Sequence, residues 1–150
     1  MALAYDHSYS DTADFSPRGG GVKRASDVTA FSGPDWMSRA AQRFVDLIRL
    51  PVGWDGHQGH PVSPPIADYA YRFLQKLMLQ PGLTLPSITP LAYGGIMLEW
   101  HRRGWDVEIE IDAPAQHHVY TYEIASGLEE QFVLGSRLDR LRDIVSKIAD

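Results

Sequence analysis

Apolar residues recur along this chain at two different periods, and the change of period marks its layout. From Pro34 to Leu50, Met37, Ala40, Ala41, Phe44, Leu47 and Ile48 repeat at helical spacing, which predicts an amphipathic helix. Ser32 and Asp35 stand at capping-box spacing around a first-turn Pro34, and Leu50-Pro51 ends the helix. Ser63 is placed to cap a second helix that opens with Pro64-Pro65 and carries Ile66, Ala70, Phe73, Leu74 and Leu77 on one face. Pro81-Gly82 stops it.

Beyond Gly82 the period falls to two. Ile96, Leu98 and Trp100 alternate with Met97, Glu99 and His101, and Trp105, Val107, Ile109 and Ile111 alternate with Asp106, Glu108, Glu110 and Asp112, the pattern of two half-buried strands. The turn between them, around His101 to Gly104, fits a loop of two or of four residues, and either register leaves Trp100 and Trp105 on one face. A third strand is expected near His117 to Ile124 and a short one near Gln131 to Leu134. Leu85 to Leu91 adds a proline-limited edge strand. A last helix is expected from Arg137 to Ala149, with Ser136 and Asp139 as a second capping box and Leu138, Leu141, Val145 and Ile148 as its apolar seam. The expected fold is α+β, an antiparallel sheet of four to five strands with two N-terminal helices and one C-terminal helix in the order α-α-β-β-β-β-α.

Residues 1–33 carry neither period. They are rich in Ser, Asp, Gly and Ala, include Gly19-Gly20-Gly21, and space Tyr5, Tyr9, Phe15 and Phe31 singly among polar residues. This predicts a polar arm ahead of a single domain at 34–150, its aromatics suited to separate pockets on a partner or a second copy of the chain. The complete absence of cysteine excludes disulfides, thiolate zinc sites, iron–sulfur clusters and thiol nucleophiles. The start, Met-Ala-Leu-Ala-Tyr-Asp-His, lacks the basic and apolar regions of a signal peptide, and no apolar run reaches the roughly 18 residues that cross a bilayer. A cytoplasmic protein without membrane contact is the expectation. A net charge of -5 argues against nucleic acid, which selects basic surfaces.

The densest punctuation is Gly53-Trp54-Asp55-Gly56-His57-Gln58-Gly59-His60-Pro61. Together with the later Gly94-Gly95-Ile96 leading into Leu98-Glu99-Trp100, it resembles a family of short uncharacterised bacterial proteins over roughly residues 50–125. The resemblance implies a fold and a bacterial or phage setting; it implies no activity and no catalytic residue. His57 and His60 depart from the family's run, which raises a metal set of Asp55, His57 and His60 completed by His117 or His118. The structural reading of the same loop is preferred: Gly53 and Gly56 permit unusual backbone angles, Asp55 bonds nearby N–H groups, and Trp54 packs over the core. No metal or cofactor is therefore expected.

A small hydrolase centred on the Trp54–His60 loop is the rival, with Glu99 or Asp55 as base, His101 or His117 as partner and Ser63 or Ser87 as nucleophile. No nucleophile elbow, zinc-protease helix or phosphate-binding loop accompanies them. The feature that points furthest is the strand face bearing Glu99, Asp106, Glu108, Glu110 and Asp112. Pairing Trp100 with Trp105 sets Glu99 against Asp106, and the shifted register sets it against Glu108, so like charges oppose one another either way. Nearby Arg102 and Arg103 offer screening. An acidic face of this kind suits a basic protein partner, as in antitoxins and immunity proteins. The expectation is a non-enzymatic protein-binding accessory factor of bacterial or phage origin that uses this face and the arm residues Tyr5, Tyr9 and Phe15. A structural subunit whose arm clasps its neighbours is a further alternative.

Overall fold

The computed structural model describes residues 34–135 and 137–150. The expected arm, with Tyr5, Tyr9, Phe15 and Ser32, and the residue Ser136 lie outside them. Three helices, α1 (Asp35–Ile48), α2 (Pro64–Leu77) and α3 (Leu138–Ile148), accompany five strands, β1 (Ser87–Pro90), β2 (Ile96–Arg102), β3 (Trp105–Ala113), β4 (Gln116–Glu123) and β5 (Leu128–Val133). The strands form one antiparallel meander in the order β1-β2-β3-β4-β5. The fold is α+β as expected, with the proline-limited segment Leu85–Leu91 supplying a true fifth strand. Pro90 sits on this edge strand, where a missing N–H donor is tolerated.

Each element buries the stripe that its period marks. α1 buries Ala40, Phe44 and Leu47; α2 buries Ala67, Ala70, Phe73, Leu74 and Leu77; α3 buries Leu141, Ile144, Val145 and Ile148. Leu138, expected in the α3 seam, is instead about half exposed at the first turn, and Ile144 takes the buried position. Against these helices lie Ile96, Leu98, Trp100, Val107, Ile109, Ile111 and Val119, all but dry, because alternate strand residues share one face. Trp105 and Phe132 border this core, and α3 covers them with cations: Lys147 Nζ lies 4.3 Å from the Trp105 ring centre and the Arg140 guanidinium 4.1 Å from that of Phe132.

Of the expected caps, Ser32 and Ser136 lie outside the described residues. Pro34, Ser63 and Arg137 hold the three N-cap positions, and none makes a side-chain capping bond. Asp139 pairs at 3.3 Å with Arg142 one turn on. Tertiary packing of the apolar stripes holds these helices in place.

The β2–β3 hairpin resolves the register. Trp100 faces Val107 and Arg102 faces Trp105, leaving a two-residue turn of Arg103 and Gly104 with φ of 53° and 79°. Two successive positive φ angles define the turn whose twist matches the strands. Arg103 occupies a conformation that costs most residues about 1–2 kcal/mol, and its Nη1 donates to the Ala149 carbonyl at 3.0 Å, which ties the turn to the end of α3.

Candidate functional site

The end of the Gly53–Pro61 loop is bonded to the segment around Gly94. His60 N donates to the Ala92 carbonyl at 2.8 Å and Ser63 N to the Gly94 carbonyl at 3.1 Å. A side chain on Gly94, whose φ is 94°, would press on the Pro61 carbonyl at 3.2 Å. Within the loop, Asp55 Oδ1 accepts from the backbone of His57 and of Gly59, both at 2.9 Å, and these two N–H groups hold its carboxyl below the ordinary range. Any Cβ at Gly59 would fall 2.7 Å from the Asp55 carboxyl carbon, so glycine is needed for that contact.

Trp54 corrects one expectation: it does not belong to the core. The side chain is half-buried, and its indole N–H donates to the His60 carbonyl at 2.9 Å, closing the loop on itself. The region is thus a structural joint between α1, α2 and the approach to β2.

The chemical alternatives are not assembled by this geometry. Asp55 is engaged with its own loop, while His117 and His118 point to opposite faces of β4. Among the described residues no three His, Asp or Glu side chains gather to hold a metal ion. Ser87 stands opposite Glu99 in the β1–β2 register, yet Glu99 accepts from Thr89 Oγ1 at 3.2 Å and His101 Nδ1 lies 2.8 Å from Asp106 Oδ1. No serine–histidine hydrogen bond forms among the described residues, so the nucleophile–base pair that acyl transfer requires is not in place.

The acidic face is assembled as the alternation implies. All three helices pack on one side of the sheet, and Glu99, Asp106, Glu108, Glu110 and Asp112 lie together, half-buried, on the other. Glu99 pairs directly with Glu108. The expected screening by arginine is absent: Arg102 donates to Thr84 Oγ1 and to Asp150 Oδ1, at 2.8 and 2.9 Å, and Arg103 turns to Ala149. Even numbering in β2 puts Arg102 on the helical face, and the turn carries Arg103 with it. Neutral and titratable donors serve instead. The Tyr93 hydroxyl donates to Glu110, Thr89 to Glu99, and His118 Nε2 stands 3.5 Å from Asp112 Oδ2 at the irregularity between Ile111 and Ala113. The hydrogen bond that His101 donates to Asp106, aided by the charges of Asp106, Glu99 and Glu108, raises the pKa of His101.

Strand pairing also brings in residues that the sequence reading passed over. Met97, His118, Tyr120, Gln131 and Val133 join Glu108 and Glu110 around an open depression of about 690 Å³. Tyr122 lies beside it, opposite Asp106 on one side and Glu129 on the other. Desolvation and then the charges of Glu129, Glu108 and Asp106 raise the Tyr120 hydroxyl above its ordinary value. The outward alternation of His118, Tyr120 and Tyr122 in β4 was the available signal.

His117, on the inner face, is 4% exposed and stacks on Phe73 with ring centres 4.4 Å apart. Neither ring nitrogen has a hydrogen-bond partner among the described residues. Burial lowers its pKa, against the opposing pull of Asp112. The native state therefore binds this proton less readily than the unfolded chain does, and stability is full above the unfolded value of about 6.5. As pH falls from there through the lower folded value, that contribution is lost. Urea melts at pH 7.5 and 5.5 are expected to show it, and His117→Phe, which keeps the stack and removes the titration, is expected to flatten this part of the profile without loss of stability at neutral pH.

No helix among the described residues is long and apolar enough to cross a membrane. In comparisons with protein-family models, curated proteins and solved structures, no significant match to this chain was found.

Proposed function

We propose that this protein is a non-enzymatic, cytoplasmic binding factor of bacterial or phage origin whose open sheet face engages a basic segment of a protein partner. One observation carries the reading: five carboxylates share a sheet face on which no helix packs among the described residues, while the two hairpin arginines, Arg102 and Arg103, turn to the opposite side. Like charges held opposite one another repel, and a cationic partner relieves that repulsion while gaining association rate from the field. Met97, Tyr120, Tyr122 and Val133 supply the apolar and aromatic area that such a patch needs for affinity, since tyrosines anchor interfaces at low entropic cost. Antitoxins and immunity proteins use surfaces of this composition. The arm residues Tyr5, Tyr9 and Phe15 belong to the same proposal as a second, separable contact.

The test is kinetic, with the partner that co-purifies from native cells. Glu108→Gln combined with Glu110→Gln spares the buried Val107 and Ile109; the pair is expected to leave folding intact, slow association and flatten its salt dependence. Deleting residues 1–30 is expected to speed dissociation instead. Association should also strengthen as pH rises through the raised value of His101, because losing that cation leaves the face with a larger net negative charge. Unchanged on- and off-rates in both variants would remove the support for this function.

A further inference from the structure

β5 lies at one end of the sheet, and the phase of its hydrogen bonds fixes which of its backbone groups are spare. Ile124 N donates to the Gly104 carbonyl at 2.8 Å and Leu134 N to the His117 carbonyl at 2.9 Å, each one step beyond a strand register. Bonded and unbonded pairs alternate along an antiparallel ladder. Even-numbered residues of β4 therefore bond β3, odd-numbered ones bond Leu128, Glu130 and Phe132, and Glu129, Gln131 and Val133 turn their N–H and C=O groups outward. Among the described residues no backbone partner meets them. A row of unpaired groups is a template for a further strand, which lysine, proline or a bulge commonly blocks; Leu128–Val133 has none of the three. The other edge offers less. There the bond from Leu91 N to the Gly95 carbonyl, at 2.9 Å, turns Ile88 and Pro90 outward; Pro90 lacks an N–H, and the Ile88 carbonyl accepts from Arg43 Nε at 2.8 Å.

The side chains of Glu129, Gln131 and Val133, paired with Tyr122, Tyr120 and His118, continue the acidic face, and all three residues are exposed. Phe132 and Glu130 lie on the helical side, where Arg140 covers the Phe132 ring and pairs with Glu130 at 2.8 Å. Glu129 forms no ion pair among the described residues. We propose that β5 accepts an extended segment of a protein partner as a sixth, antiparallel strand, cationic at the alternate positions that fall on the acidic face and apolar at those beside Phe132. This docking mode rests on the basic partner proposed above. In it, the residues opposite Glu129, Gln131 and Val133 exchange both backbone bonds with them and share their face, so main-chain bonds give affinity and alternate side chains give selectivity. Cations answer Glu129, and their alkyl stems cover Val133. A second copy is the wrong occupant, since each chain carries a net charge of -5 and would bring Glu129 and Glu130 against their like.

The test titrates three end-blocked peptides into the full-length protein, with amide NMR signals and hydrogen exchange as readouts: alternating Lys-Val-Lys-Val-Lys-Val, the same peptide methylated on its lysine backbone nitrogens, and Lys-Lys-Lys-Val-Val-Val. The alternating peptide is expected to shift the amides of Glu129, Gln131 and Val133 saturably and to slow their exchange. Methylation keeps the charge and removes the bonds to β5, and is expected to weaken binding about tenfold; the third peptide, which keeps composition but not alternation, is expected to fall by a similar factor. Gln131→Pro removes an outward N–H that β4 does not use, a substitution that edge strands tolerate, and is expected to weaken the alternating peptide about tenfold with the fold intact. Absence of saturable shifts in β5 would overturn the proposal. Equal binding of all three peptides, with shifts confined to Glu108 and Glu110, would overturn strand addition while the acidic-face reading stands. Undiminished β5 shifts in the Glu108→Gln, Glu110→Gln protein would instead support strand addition and remove the acidic face from the contact. Slow exchange of the three amides in the protein alone would show the edge already paired, by a second copy or by the chain's own N-terminal segment, and would overturn the proposal equally.

Discussion

Trp100→Ala is expected to lower the free energy of unfolding by about 3–5 kcal/mol. The indole is 2% exposed, it lies on the core face of β2, and its Nε1 donates to the Thr84 carbonyl at 2.7 Å. Truncation removes the apolar contacts of a large ring and leaves that carbonyl, in the connection from α2 to β1, without its donor. Arg102 donates to the hydroxyl of the same Thr84, so the connection is anchored twice from β2. Urea denaturation with an unchanged slope would report the loss directly, and a change below about 1 kcal/mol would contradict core placement. Trp54→Phe, by contrast, removes only the loop-closing hydrogen bond to His60 and is expected to cost about 1 kcal/mol.

Gly82→Ala is the second large effect. Gly82 has a φ of 76°, and a Cβ there would stand 2.4 Å from the Asp150 carbonyl oxygen and 2.7 Å from its nitrogen. The left-handed conformation alone costs alanine about 1–2 kcal/mol, and forcing the Asp150 backbone aside adds about 1–3 kcal/mol more. Gly104 isolates the first component, since its φ is 79° and a Cβ there meets nothing within 4 Å. The two alanine variants should therefore differ in urea midpoint by the cost of the displacement, and equal midpoints would show that Asp150 is not seated against Gly82. Because Asp150 also holds Arg102 at 2.9 Å and Arg103 at 3.7 Å, its displacement in Gly82→Ala frees two guanidinium groups near the hairpin. Weaker attraction of a basic partner in that variant than in Gly104→Ala is expected as a consequence.

The elements and their faces were legible because local patterning carries them. A period of 3.6 and a period of 2 each assign an inward side before any neighbour is known, so the α1 and α2 stripes, the Ile96 to Trp100 and Val107 to Ile111 rows, and the gathering of five carboxylates on one side of a hairpin follow from the sequence by itself. The two-residue turn was one of two allowed loops; the register Glu99 to Glu108 came only with the assembled sheet. Tertiary structure alone decided where the long cations go. A guanidinium on a flexible stem reaches whichever acceptor the fold brings within range, and Asp150, nearly fifty positions along the chain, draws Arg102 away from the carboxylates that are its sequence neighbours. It also decided the fate of single side chains in loops and at strand ends. Trp54 has no periodicity to reveal that it closes a loop instead of a core, and His117 and His118 differ by one position yet end in opposite environments, one dry against Phe73 and one beside Asp112. Alternation determines that two adjacent strand residues part company; only the packing of α2 and α3 determines which of them is buried, and what that burial does to its proton.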